Sequence, residues 1–154
     1  MNGRICRRRE VHLANLDELA AEVERIVAAD SRGDLITTGQ WSAGQILQHN
    51  SLLIQFSLDG FPFGVSWPTQ LLCRLLKAIS WKWLVRQAFR RGRQMPSPAL
   101  RPDDQISVPR GAAILLEQLG RIRRGEQMTQ SSPFEGKLTH DQWIESTCSM
   151  PNYT

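Results

Sequence analysis

Residues 40–60 read QWSAGQILQHNSLLIQFSLDG, and this stretch decides the fold. Ser42-x-x-Gln45 is a helix-start signature: the serine hydroxyl accepts from the backbone N–H three residues on, while the glutamine side chain reaches back. Behind it, Ile46, His49, Leu53 and Phe56 recur at three- and four-residue spacing, so a helix here places them in one stripe. Gly60, Pro62 and Gly64 end that helix. A histidine in the apolar stripe of a helix needs a partner for each ring nitrogen. It is either a core histidine satisfied by its neighbours, the commoner case, or one ligand of a metal site inside a helix bundle.

The same two signals, caps and stripes, extend outward from this helix. Asn15 is a cap, with Asp17 and Glu18 placed favourably against the helix dipole, and Leu16, Leu19, Ala20, Val23, Ile26 and Val27 form the stripe behind it. Pro109 suits the first turn of another helix, whose stripe is Ala112, Leu115, Leu116, Leu119 and Ile122. Arg121, Arg123 and Arg124 lie in its last turns, and Gly125 stops it. Thr139-x-x-Gln142 opens a final helix carrying Trp143 and Ile144. The tail at 1–13, with Arg4, Arg7, Arg8 and Arg9, reads as solvated, which leaves 14–154 as a single helical domain.

Between Gly60 and Pro102 there are eight basic residues and no acidic one. Leu72, Leu75, Leu76, Ile79 and Trp83 make one stripe there, and Trp81, Leu84, Val85 and Ala88 fall on the opposite side of the same wheel. One straight helix cannot turn both toward one core, so the chain bends near Ser80 to Trp83 or is covered on two sides. A bundle helix with a solvated cationic edge is the favoured reading over a membrane-surface segment.

Composition narrows the class. The chain has 154 residues, 41% apolar and 22% charged, as a one-domain globular protein does. It lacks the run of about eighteen apolar residues that a membrane span needs. The basic N-terminus has no apolar core of a secretory signal. Cys6, Cys73 and Cys148 are odd in number and widely spaced, which suits reduced thiols in the cytoplasm. A net charge of +4 favours contact with anions without implying nucleic acid.

Taken together, Trp41-Ser42…Gln45-Ile-Leu-Gln-His49, Leu58-Asp-Gly-Phe-Pro62, Met95-Pro96 and Pro133-Phe…Gly136-Lys-Leu-Thr139…Trp143 resemble the DinB/YfiT-like superfamily, in an uncharacterised bacterial branch (a domain of unknown function). The resemblance implies an all-α, up-down-down-up four-helix bundle with a long crossover segment. It implies a divalent metal, nickel or zinc, held by three histidines: one on the second helix, where His49 stands, and two on the last helix, four residues apart. Relatives include thiol S-transferases and hydrolases acting on small molecules.

The chain departs from that pattern after Trp143, where Ile-Glu-Ser-Thr-Cys-Ser-Met-Pro-Asn-Tyr-Thr154 contains no histidine. The last helix therefore reads as truncated, with His49 the remnant of a three-histidine site. His140 lies before Trp143, as an exposed first-turn residue, and Cys148 reads as a structural thiol in preference to a soft metal ligand. Permitted codons for residues 148–154, shifted by one base, spell Phe-His-Ala-Glu-Leu-His, so one base lost just after Glu145 accounts for the change. Metal binding and activity are expected to be weak or absent. Two further readings stand beside this one: a non-enzymatic helical binding module that dimerises through the groove left by the short helix, and docking of residues 60–102 on anionic lipid or nucleic acid, with nucleic acid the less favoured.

Overall fold

Each expected cap forms, and each sets a helix. The computed structural model describes residues 13, 15–37, 40–64, 97–133 and 136–148. Within them lie helices α1 (Leu16–Ser31), α2 (Ala43–Asp59), α3 (Val108–Arg123) and α4 (His140–Cys148), and one 3-10 turn, Pro98–Leu100. The Asn15 side chain accepts from the Asp17 and Glu18 backbone N–H groups. Ser42 and Gln45 exchange both bonds of a capping box, as do Thr139 and Gln142 at α4. Gly60 ends α2 at a φ of 106°, a backbone shape that a side chain would strain. The described residues are thus all-α, apart from one isolated bridge between Ser132 and Gly136.

Contacts at the helix ends fix their directions. Asp17, at the start of α1, pairs with Arg123, at the end of α3, so these two run antiparallel. Asp59, at the end of α2, pairs with Arg121, while Gly44 and Gly111 meet near the two starts, so α2 and α3 run parallel. Since α2 and α3 are parallel, the chain between them must travel back the length of α2, about 25 Å at 1.5 Å per residue. Residues 60–107 make that crossover. Helix α4 begins at the shared end: the Met128 N–H donates to His140 Nδ1 at 3.1 Å, and the Trp143 ring stacks on Phe61 at 6.1 Å. Among the described helices, α1 thus runs against α2 and α3, and α4 starts at the end where α2 and α3 finish.

The core lies among these helices. It comprises Leu19, Val23 and Ile26 of α1, Leu47, Ile54 and Leu58 of α2, Leu115, Leu119 and Ile122 of α3, and Met128 and Trp143. Burying one such side chain contributes roughly 1.5–3 kcal/mol. Leu13 packs against its edge.

The face that α2 gives to the core differs from the expected stripe. Leu47, Ile54 and Leu58 are buried, with Ser51 and Ser57, whereas Ile46, His49, Leu53 and Phe56 are half-buried on another side. The cause is the closeness of α3. A Cβ on Gly111 would stand 2.5 Å from the Gly44 carbonyl oxygen, so the two backbones approach where neither has a side chain. That contact turns the small and hydroxyl side of α2 inward.

No helix among the described residues is long and apolar enough to cross a membrane. The arginine-rich tail, the bend expected near Ser80 to Trp83, most of the basic stretch at 60–102, Cys6, Cys73 and the chain beyond Cys148 lie outside the described residues.

Candidate functional site

His49 sits midway along α2, on the side facing the returning crossover. Its Nδ1 is 2.9 Å from the Leu100 carbonyl oxygen. A carbonyl only accepts, so Nδ1 carries the proton and Nε2 keeps its lone pair. Nε2 has no hydrogen-bond partner among the described residues. The Trp41 ring meets the imidazole edge-on, with centroids 5.2 Å apart and an interplanar angle of 63°. Burial pushes the imidazole below its ordinary pKa, and the Leu100 carbonyl opposes this only in part. Burial therefore favours the neutral ring at pH 7.

The segment that supplies the carbonyl is held by the same helix. Gln48 Oε1 accepts from the Asp103 backbone N–H at 2.7 Å. Gln45 uses both ends of its amide: its oxygen closes the helix cap at Ser42, and its Nε2 donates to Asp104 at 3.3 Å. Residues 45, 48 and 49 stand three and four apart, so all three share one side of α2. Ser97 caps the 3-10 turn through the Ala99 N–H, which places Leu100 with its side chain buried and its carbonyl toward the ring.

A neutral imidazole donating through one nitrogen to a backbone carbonyl, with no partner for the other nitrogen among the described residues, has the form of a metal ligand with its supporting partner. The same form serves a proton acceptor. Among the described residues, no group of three His, Cys, Asp or Glu side chains is placed to hold a metal ion. The described donors therefore do not by themselves fit a metal.

The other two candidates stand elsewhere. His140 is half-buried rather than exposed, because its Nδ1 accepts from Met128 and ties the loop after α3 to the start of α4. Cys148 is buried, and both burial and the Glu18 carboxylate push its thiol pKa up. Its neighbourhood includes Glu18 of α1, whereas the His49 ring meets Leu100 and Trp41. The structure does not bring these three residues together.

Sequence reasoning missed the Leu100 carbonyl and the grip of Gln48 on Asp103. A backbone acceptor carries no side-chain signature, and a glutamine on a half-apolar helix side reads as solvated. Trp41, eight residues before His49 in the sequence, is the aromatic that meets the ring.

The model of a family described as "Protein of unknown function (DUF1569)" matches residues 5–149. No curated protein and no solved structure matches the chain.

Proposed function

The chain belongs to the DUF1569 family, and we propose that it is a DinB-like bundle descended from a metal-dependent enzyme acting on a small molecule. The observation that carries this reading is the state of His49: Nδ1–H committed to the Leu100 carbonyl, burial favouring the neutral ring, and no partner for Nε2 among the described residues. The bundle order, with α2 and α3 parallel and joined by a long crossover, supports the same ancestry.

On this reading His49 is one ligand of a nickel or zinc site, and its two companions belonged to the helix that α4 begins. A complete three-histidine site would hold a metal able to polarise water or a thiol for transfer or hydrolysis, in a cytosolic protein. Restoring the shifted frame places histidines at positions 150 and 154, one helical turn apart. A single imidazole does not hold a catalytic metal, so this chain is predicted to bind nickel or zinc weakly and to turn over little. Two measurements test the proposal. The gene should carry, past the Glu145 codon, the codons that regenerate the pair when one base is added. Titration of the protein with nickel should show no stoichiometric uptake; tight uptake abolished by His49→Ala would contradict the loss of the site.

A further inference from the structure

The crossover does more than reconnect two parallel helices. It returns at Ser97, makes one 3-10 turn, and lies along the side of α2 that carries Gln45, Gln48 and His49. Each of these side chains takes a different group of the segment: the Asp104 carboxylate, the Asp103 N–H and the Leu100 carbonyl. Two of the three contacts leave the imidazole untouched and fix only the place of the carbonyl that meets it. Neither is needed to form α2, since the Gln45 amide oxygen closes the cap independently. The Trp41 ring closes a further side of the imidazole.

We infer that residues 97–104 are a positioning element for His49, with Gln48 and Asp104 as its positioning residues. They hold the Leu100 carbonyl so that the imidazole exists as one tautomer, with Nε2 as its only reactive nitrogen. The inference rests on the reading of His49 as a ligand-type imidazole. It adds which atom reacts and what selects that atom. A free imidazole in water favours the opposite tautomer modestly, so the observed one depends on the clamp.

The experiment reads the ring without any metal, and so stands apart from the fate of the metal proposal. Long-range nitrogen–proton correlation spectra of the nitrogen-15-labelled protein at neutral pH distinguish a protonated from a bare ring nitrogen. His49→Gln assigns the signal. The expected wild-type pattern is one protonated Nδ1 and one bare Nε2. Gln48→Ala and Asp104→Ala should each move the two nitrogen resonances toward one another as the second tautomer is populated. Gln48→Glu, which keeps an acceptor oxygen at the same reach, should restore the wild-type pattern. A wild-type ring protonated at Nε2, or averaged between tautomers, overturns the inference. So does an unchanged pattern in a folded Gln48→Ala or Asp104→Ala protein. Should one alanine variant fail to fold, the other and the wild-type spectrum decide the matter.

Discussion

Replacing Gly111 by alanine tests the contact that sets the direction and face of α2. A helix interior gains about 1 kcal/mol from glycine to alanine, because alanine loses less backbone freedom. At Gly111 the new Cβ would lie 2.5 Å from the Gly44 carbonyl oxygen, 3.3 Å from the Gly44 carbonyl carbon and 3.2 Å from the Leu47 Cβ. The first is about 1 Å inside an ordinary contact, and its partner is backbone, which cannot rotate away. Relief requires α3 to part from α2 and loosens Leu47 and Leu115. Overpacking of this kind costs about 1–3 kcal/mol or more. The steric term wins, with a net loss of about 2 kcal/mol, or roughly 4–8 °C in Tm for a domain of this size. Gly120→Ala is the internal control. It lies in the same helix, and among the described residues its Cβ would meet the flexible end of Arg124 at 3.4 Å and nothing else. There the propensity gain of about 1 kcal/mol stands alone and Tm rises. Urea unfolding followed by far-ultraviolet circular dichroism reads both. If Gly111→Ala is as stable as Gly120→Ala, the close approach of α2 and α3 is wrong.

Other outcomes follow from the ends of the helices and the last cysteine. Arg121 donates to both Asp59 oxygens and to Glu126, linking the ends of α2 and α3 to the following loop, so Arg121→Ala should cost about 1–2 kcal/mol after allowance for solvent. The hydrogen bond from Arg121 holds the Asp59 carboxyl below its ordinary pKa. That contribution is complete above the unfolded value of about 3.9 and is lost as pH falls through the lower folded value. Urea midpoints should therefore drop more steeply below about pH 4 in the wild type than in Arg121→Ala; equal slopes would remove the linkage. Cys148, buried and with its thiol pKa raised, should resist iodoacetamide in the native state and react on unfolding, as read by peptide mass mapping. Rapid native labelling at that peptide would contradict its burial.

Helix starts were legible because they are local. Asn15, Ser42 with Gln45, and Thr139 with Gln142 each bond within three residues of themselves, so their spacing alone carries the information. The α1 and α3 stripes were legible for a related reason: each helix has one clearly apolar side, and Leu19, Val23, Ile26, Leu115, Leu119 and Ile122 are buried as their spacing implies. Helix α2 was not. Ile46, Leu47, Leu52, Leu53, Ile54, Phe56 and Leu58 spread apolar character around it, so periodicity does not single out one side. The deciding contact, Gly44 against Gly111, joins residues 67 apart in sequence and depends on the absence of side chains. His49 was legible as a candidate, since a histidine among apolar residues demands partners. Its actual partner, a main-chain carbonyl at position 100, could not be read from side-chain identities.

The most direct test of the ancestry restores the missing pair. The variant Met150→His/Pro151→Ala/Thr154→His should take up one nickel ion per chain in isothermal titration, and adding His49→Ala should abolish that uptake. The unaltered chain should show neither. Stoichiometric nickel binding that survives His49→Ala, or none at all in the restored and folded variant, would contradict the assignment of His49 as a metal ligand.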